Sequence, residues 1–320
     1  MGDNGLFEVS VVNDLIYASP GGTPLLADLY LPQNTKKPAR VILWLHGGGW
    51  RFGDRRLGPN LSRYYAECGF AMASIDYRLS TEAVFPAQIQ DVKTAIRWLR
   101  SVASRYGFDA SRLGLWGSSS GGHLAALAAT SGPGVFEEGE IEHPGSSSSV
   151  QAVVDGYGPT DFLQMDEHRD PSGKPSDDPE SIQLGPGKSA ASATSLESLF
   201  LGAPIQTCPQ RVREANPITY VRSGMAPFYI LHGTSDTAVP AHQSELLYEA
   251  LVAQGNDVTL CLIEGLGHGF LNRNDFDQGP SKRVMVRHRM AGIERIANKP
   301  PATFQSIENF FKKHLCSGGE

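Results

Sequence analysis

The chain has 320 residues, a formal net charge of −6 and a pI of about 5.9. A chain of this length buries a substantial core, and no Pro- or Ser-rich linker divides it into balanced halves, so we predict one domain over residues 1–320. This net negative charge does not favour binding to nucleic acid or to an anionic membrane. These properties favour a protein that acts on small molecules.

The cysteines indicate the redox state of the chain, and its first residues indicate where the protein is located. Cys68, Cys208, Cys261 and Cys316 have no paired spacing of the metal or redox kind, and we expect them to be reduced. Residues 1–8 show no signal-peptide or myristoylation pattern, and no run approaches the length of a membrane span. The default expectation is a cytoplasmic protein, a secreted one with a trimmed leader being the alternative. The oligomeric state is left open, a homodimer included.

Short apolar runs alternate with helical patterns along most of the chain, which predicts an α/β fold with a mostly parallel sheet and helices on both faces. Most of the runs do not alternate with polar residues, as expected for strands covered on both faces. The first two are predicted to form an antiparallel entry to the sheet. In chain order the predicted strands are Glu8–Val12, Leu25–Leu31, Val41–Leu45, Phe70–Ile75, Leu113–Trp116, Val150–Val154, Phe228–Leu231 and Val258–Ile263. The predicted helices are Ala87–Tyr106, His123–Ala129, Gln243–Ala253 and Thr303–Leu315.

A glycine-rich pentapeptide, His46-Gly47-Gly48-Gly49-Trp50, directly follows the third predicted strand. Acyl transfer requires two or three N–H groups directed at the developing oxyanion, and consecutive glycines let a main chain approach that closely. We assign these donors to Gly48 and Gly49. A phosphate-binding loop is the alternative, but no Lys-Ser/Thr follows and the Gly-x-Gly-x-x-Gly spacing is absent.

A second motif, Gly117-Ser118-Ser119-Ser120-Gly121, lies between the predicted strand at 113–116 and the helix-forming run that follows it. A serine at such a turn exposes its hydroxyl above the sheet edge, and the helix N-terminus behind it directs N–H donors at the reacting carbonyl. The pattern alone is weak evidence in a chain with 35 glycines, so its context decides. We predict Ser119 as the nucleophile and the N–H of Ser120 as a further oxyanion donor.

A base and its orienting acid are expected downstream, the acid first and the histidine second. Asp236 lies in the loop after the predicted strand at 228–231, and His268 lies in the loop after the strand at 258–263. Both loops leave the carboxyl ends of successive strands, which places them on the same rim as Ser119. We predict that His268 takes the serine proton and returns it to the leaving group, while Asp236 holds the imidazole tautomer and stabilises its cation.

Other polar residues have weaker claims to the chemistry. Asp161 also follows a predicted strand and is the rival acid, with turn formation or capping as the alternative. Asp76, Arg78 and Asp91 are expected to form a structural ion network. His123, on the nucleophile helix, is expected to pack or to form hydrogen bonds.

Three segments interrupt the alternation, near residues 131–149, 161–194 and 272–300. The first two are rich in Gly, Ser, Pro and acidic residues, and the second begins just past a strand end, where ligands bind in open α/β sheets. The third carries a candidate amphipathic helix through Val286, Met290 and Ile293, which could form a lid. The sequence does not decide whether 161–194 or 272–300 covers the site.

Trp50, Tyr157 and Phe270 are the predicted pocket aromatics near the nucleophile. Such side chains suit a compact acyl group better than a long flexible one. The insertions also lack the broad apolar surface that a lipase requires at an oil interface. We therefore predict a preference for short acyl groups.

The chain resembles the α/β-hydrolase esterases, particularly the hormone-sensitive-lipase-like group and the related feruloyl and acetylxylan esterase-like enzymes. The resemblance spans roughly residues 24–270 plus the last helix, and it implies the α/β-hydrolase fold with the triad and oxyanion residues named above. Because the predicted strands begin almost at once, we expect no N-terminal helical cap like that of some members, and 272–300 is expected to be an addition, so the resemblance does not specify a substrate. It rests on residues 46–50, 76–79 and 117–123 together with Asp236 and His268.

We therefore predict a serine carboxylesterase that needs no cofactor or metal and hydrolyses short-chain acyl esters through an acyl-enzyme. Acetylated or feruloylated carbohydrate and aryl esters are candidate small-molecule substrates. An arylformamidase, another amidase or a small peptidase is the alternative, because the same triad cleaves amides when the leaving nitrogen is protonated. A catalytically inactive binding protein is disfavoured, since Ser119, Asp236 and His268 are all present.

Overall fold

The computed structural model describes residues 5–137, 142–169, 189–274, 276–277, 283–290, 293–297 and 302–316. Their strands form one sheet in the order β1-β2-β4-β3-β5-β6-β7-β8-β9-β10. The strands from β4 to β8 in this order run parallel, and the two strands at each edge are antiparallel to their neighbours. The predicted mostly parallel sheet with an antiparallel entry is confirmed. The strands are β1 Val9–Ala18, β2 Leu25–Pro32, β3 Ala39–Leu45, β4 Ala71–Ile75, β5 Phe108–Ser118, β6 Ala152–Gly156, β7 Phe228–Gly233, β8 Val258–Ile263, β9 Val284–Met290 and β10 Ile293–Ala297.

The helices lie on both faces of this sheet, as predicted. The long helix α1 has the predicted bounds, and its apolar positions Ile89, Val92, Ile96 and Leu99 are fully buried. The C-terminal helix is shorter than predicted, because a π-helical turn, Lys312–Cys316, follows it. In the described residues the α-helices are α1 Ala87–Tyr106, α2 Ser120–Ser131, α3 Leu196–Leu201, α4 Pro209–Ala215, α5 His242–Ala253 and α6 Phe304–Phe311.

The prediction of an amphipathic helix within 272–300 is wrong, because the residues proposed for it lie in the paired strands β9 and β10. β9 pairs antiparallel with β8, from Val284 opposite Ile263 to Arg289 opposite Val258. Burial alternates along its start, since Val284 is 5% exposed and Met285 is 40% exposed. This period of two is that of a strand, and pairing satisfies the backbone groups along the edge of β8. The segment extends the sheet, and its described residues supply no lid helix.

Two hydrophobic layers cover the sheet, and because β5, β7 and β8 run parallel, their carboxyl ends lie at one rim. Helices α1, α2 and α5 pack on one face, and α6 packs on the other against Trp44 and Trp116. Of the predicted insertions, residues 138–141, 170–188, 275, 278–282, 291–292 and 298–300 lie outside the described residues, so the lid expectations for 161–194 and for the rest of 272–300 stay predictions. The rim carries the residues considered next.

Candidate active site

Ser119 lies at the turn between β5 and α2, with φ 52° and ψ −122°. Its N–H donates to Gly156 O on the neighbouring strand at 2.8 Å. A Cβ atom at Gly121 would lie 2.1 Å from Leu45 O, and one at Gly117 would lie 2.2 Å from Gly121 O. Only glycine therefore lets the first turn of α2 approach the end of β3. This close approach holds Ser119 in a sharp strand-to-helix turn above the sheet edge.

His268 and Asp236 form a hydrogen-bonded chain with Ser119. His268 Nε2 lies 2.8 Å from Ser119 Oγ, and His268 Nδ1 lies 2.6 Å from Asp236 Oδ2. The Ser119, His268 and Asp236 side chains are almost fully buried. The loops that carry the acid and the histidine are joined, since Ser235 N–H donates to Leu266 O at 2.9 Å. The structure therefore brings together the three residues that the sequence analysis selected.

The carboxylate of Asp236 has a second set of donors on its other oxygen. The N–H groups of Ala238 and Val239 each donate to Oδ1 at 2.9 Å. Burial alone would raise the pKa of Asp236, but the charge of His268 and hydrogen bonds from His232 and His268 outweigh burial and hold this pKa below its ordinary value. Asp236 is therefore ionised at any working pH, and His268 carries a proton on Nδ1.

The loop with the predicted oxyanion donors packs against the start of α2. Gly48 has φ 110° and Gly49 has φ 60°. A Cβ at Gly121 would lie 2.5 Å from His46 O, so the loop and the helix N-terminus are in backbone contact. Because Ser120 is the first helical residue, its N–H has no acceptor within the helix. The loop after β3 and the N-terminus of α2 are thus adjacent, and the assignment of Gly48, Gly49 and Ser120 as oxyanion donors stays a prediction.

Tyr77, which the sequence analysis did not select as functional, holds this loop in place. Its hydroxyl donates to His46 O at 2.9 Å and lies 3.4 Å from Ser120 Oγ. The Tyr77 and His46 rings are stacked, with centroids 4.2 Å apart. His46 Nδ1 donates to Gly47 O at 2.7 Å, and burial lowers the pKa of His46. A neutral imidazole and a buried phenol therefore support the glycines. Tyr77 lies two residues after the end of β4, and this position alone does not indicate its contact with the glycine loop.

Gly48→Ala should lower kcat by about 10²- to 10³-fold, as loss of one oxyanion donor does. A Cβ at this position would lie 2.3 Å from Phe52 O, and the φ of 110° is unfavourable for alanine, so the loop has to rebuild. Steady-state kinetics on a short aryl ester measures the effect. Gly255→Ala is the matched control, since Gly255 also has positive φ but nothing within 4 Å of its added Cβ. A folded Gly48→Ala protein with near-normal kcat would place the donors elsewhere.

The three predicted pocket aromatics lie on two sides of the sheet, and all are almost fully buried. The Trp50 ring stacks on Phe200 at 4.4 Å, and its Nε1 donates to His123 Nδ1 at 3.2 Å. Tyr157 lies on the opposite side, with its ring 4.7 Å from that of His268 and 4.8 Å from that of Phe270. Tyr157 and Phe270 thus pack beside the loop that carries His268, whereas Trp50 packs at the end of the glycine loop at 46–50. Their contact with substrate stays a prediction.

The remaining polar residues have structural partners. Asp161 accepts hydrogen bonds from Leu163 N at 3.1 Å and from Gln164 Nε2 at 2.8 Å, so it caps a 3₁₀ turn. His123 Nε2 donates to Ala215 O at 2.8 Å, as expected for a packing residue. The expected ion network consists of two separate parts. Arg78 pairs with Asp91, whereas Asp76 pairs with Arg55, a buried residue that also binds Asp28 and Asp14.

Two further properties of the described residues concern metal binding and membrane insertion. No group of three or more His, Cys, Asp or Glu side chains there could hold a metal ion. None of the helices in the described ranges is long and apolar enough to cross a membrane.

Comparison with known proteins places esterases among the relatives. Esterase LipC of Mycobacterium tuberculosis is 33% identical over 253 residues, which are 78% of this chain and 58% of LipC. The probable carboxylic ester hydrolase LipM of the same organism is 31% identical over 64% of this chain and 43% of its own length. The chain therefore spans about half the length of these curated relatives.

Solved structures resemble the chain over most of its length. A truncated carbohydrate esterase from gut microbiota superposes with a TM-score of 0.73 at 27% identity, covering 98% of both chains. The butyrate-bound esterase Est2 of Thermogutta terrifontis superposes with a TM-score of 0.62 at 26% identity, covering 85% of this chain and 89% of its own. These neighbours confirm the α/β-hydrolase fold.

Two family models match the sequence. That of the dienelactone hydrolase family matches residues 198–307, and that of the BD-FAE family matches residues 27–251. The second range includes β2 to β7, the glycine loop, Ser119 and Asp236. The chain therefore belongs to the BD-FAE family.

Proposed function

We propose that this protein is a serine esterase that hydrolyses small carboxylic esters without a cofactor, and that residues 1–320 form a single α/β-hydrolase domain. The observation that carries the proposed activity is the buried chain of hydrogen bonds from Ser119 Oγ through His268 to Asp236. In this arrangement the serine, the base and its orienting acid are in contact before substrate arrives. The esterases among the relatives support the same activity.

The reaction follows from which atoms hold protons. His268 carries hydrogen on Nδ1 and presents the lone pair of Nε2 to Ser119, so Nε2 accepts the hydroxyl proton as Oγ attacks the ester carbonyl. The carbonyl oxygen becomes negative and accepts hydrogen bonds from the N–H groups of Gly48, Gly49 and Ser120. His268 then returns the proton to the departing alcohol, which leaves an acyl group on Ser119. Water attacks this ester by the same steps and releases the acid.

A substrate panel tests this proposal. Purified protein is assayed on aryl acetates, longer acyl esters, acetylated sugars, feruloyl esters and formanilides. We expect turnover of esters, with acetylated sugars included because the gut carbohydrate esterase matches the chain end to end. An ester-to-amide activity ratio near or below about one would favour the amidase alternative.

Within this activity, we propose a preference for short acyl groups, acetyl to butyryl. The rings of Trp50, Phe162 and Phe200 pack together with the imidazole of His123, one helical turn beyond Ser119. We infer that this aromatic cluster, which includes Trp50 of the glycine loop, limits the depth available to a long acyl chain. Within the lid candidate 272–300, Val284–Met290 and Ile293–Ala297 form strands at the sheet edge.

Nitrophenyl esters of about two to sixteen carbons should show the highest kcat/KM at about two to four carbons. Phe200→Ala removes the ring stacked on Trp50, so we expect it to shift the optimum towards longer chains. Phe228→Ala is the matched control, because Phe228 is equally buried but begins β7 at the opposite edge. An optimum at or beyond about ten carbons, with activation at an emulsion surface, would indicate a lipase instead.

A further inference from the structure

The proposed acid, Asp236, contacts two histidines rather than one. His268 Nδ1 lies 2.6 Å from Oδ2, and His232 Nε2 lies 3.2 Å from the same oxygen. His232 belongs to β7 and is completely buried. The N–H groups of Ala238 and Val239 donate to the other oxygen, Oδ1. Donors therefore contact both oxygens of the Asp236 carboxylate.

The partners of His232 determine where its ring carries hydrogen. Nε2 lies 2.9 Å from Val239 O as well as close to Asp236 Oδ2. A carbonyl and an ionised carboxylate only accept, so Nε2 must carry a hydrogen and donate it. Nδ1 lies 2.7 Å from Ser244 Oγ, a hydroxyl that can donate to it. The environment therefore selects a tautomer of His232 opposite to that of His268.

We propose that His232 is a positioning residue, which donates through Nε2 to Asp236 and so sets the orientation and basicity of the carboxylate that His268 uses. The proposal rests on the proposed function, because it assigns His232 a role only through the Ser119–His268–Asp236 chain. By occupying one side of Oδ2, His232 restricts rotation of the carboxylate and leaves the other side to His268. By sharing hydrogen with Oδ2, it withdraws negative charge that would otherwise stabilise the His268 cation.

The groups around His232 explain why a donor is required there. Asp155 on β6 is a second buried carboxylate, and burial raises its pKa to about 6 against the hydrogen bond that it accepts from the Gly158 N–H. The Tyr157 ring lies with its centroid 6.4 Å from that of His232, and Ser244 projects from α5. Replacing the His232 imidazole by an apolar ring leaves Val239 O and Asp236 Oδ2 without this donor.

The test compares His232→Phe with His232→Gln in the full chain. His232→Phe fills the volume of the imidazole but provides no hydrogen-bond donor. We expect kcat to fall about 10- to 100-fold at nearly constant KM, as when a group that hydrogen-bonds to a metal-binding histidine is removed. The acidic limb of its pH–activity profile should move to higher pH by about half a unit or more, because a more basic Asp236 stabilises the His268 cation. His232→Gln places an amide N–H near the position of Nε2 and should restore most of kcat and the original limb.

Ser244→Ala is the matched control for lost packing and hydrogen bonding. It removes a partner from the same ring but keeps the donor to Asp236, so we expect a lower Tm with an unmoved acidic limb. A limb that moves equally in Ser244→Ala and His232→Phe would overturn the proposal, as would wild-type kinetics in His232→Phe.

The tautomer supplies a measurement that does not depend on any His232 variant folding. In ¹⁵N-histidine-labelled protein, His232 should be protonated on Nε2 throughout the pH range of activity. A bare Nε2 would overturn the proposal. Failure of the proposed function is distinguishable, because it would show as retained activity in Ser119→Ala, whereas failure of this inference alone leaves that variant inactive and His232→Phe unchanged.

Discussion

Ser119→Ala should reduce kcat on a short aryl ester by about 10⁴-fold or more and abolish labelling by a fluorophosphonate. The Ser119 hydroxyl lies 2.8 Å from His268 Nε2, within reach of proton transfer to that nitrogen. Without Oγ no acyl-enzyme forms, so the oxyanion donors stabilise only a rare direct attack by water. Stopped assays and gel-based labelling measure the two losses independently.

The neighbouring serine provides the control for this experiment. Ser118 is also buried, but its hydroxyl donates to Asn272 Oδ1 at 3.1 Å, away from the His268 ring. We expect Ser118→Ala to be labelled at Ser119 and to keep most of its kcat. Persistent labelling of Ser119→Ala at a site within the chain would mean that another residue is the nucleophile.

Features encoded in short stretches of sequence were predictable. The buried strands are continuous apolar runs, and α1 has its apolar residues at helical spacing with Pro86 before its first turn. The two glycine motifs follow strands directly, so the rim that they occupy follows from the strand direction alone. Ser119, Asp236 and His268 were accessible to the same reasoning, because parallel strands bring the loops at their carboxyl ends to one edge.

Contacts between distant segments were not predictable in this way. Tyr77 supports the oxyanion loop through a carbonyl 31 positions earlier in the chain, and no local pattern indicates such a contact. The sequence analysis assigns no role to His232, and only the folded structure, in which His232 Nε2 lies 3.2 Å from Asp236 Oδ2, shows that its ring faces the acid. Side-chain packing across the sheet decides both roles.

The hairpin of β9 and β10 shows a different limit. Val286, Met290 and Ile293 have spacings that fit a helix, but Val284, Val286 and His288 also fit a strand. The available edge of β8 favours the second arrangement, because its backbone groups gain partners there. When a periodicity fits both a helix and a strand, the neighbouring element decides between them. Here that element is the edge of β8, whose position the local sequence does not reveal.

Asp236→Asn should reduce kcat by about 10⁴-fold while leaving the fold intact. The backbone N–H groups of Ala238 and Val239 both point at one oxygen of Asp236, so an asparagine keeps its carbonyl there. Its NH₂ group then faces His268, where the carboxylate had accepted a hydrogen bond. His268 must accept at Nδ1 and carry its hydrogen on Nε2, and this tautomer cannot take the proton of Ser119. The base is present but protonated on the wrong nitrogen.

Asp161→Asn is the matched control, since Asp161 follows β6 as Asp236 follows β7 and was the rival acid. Its Oδ1 accepts from Leu163 N at the cap, which asparagine can retain, and the bond from Gln164 Nε2 to Oδ2 needs only a turn of the Gln164 amide to present its oxygen. We therefore expect nearly normal kcat from Asp161→Asn, with circular dichroism and Tm confirming that both variants are folded. Greater damage from Asp161→Asn than from Asp236→Asn would assign the acid to the loop after β6. A small loss in both would mean that His268 keeps its tautomer through Nδ1 contacts other than the carboxylate.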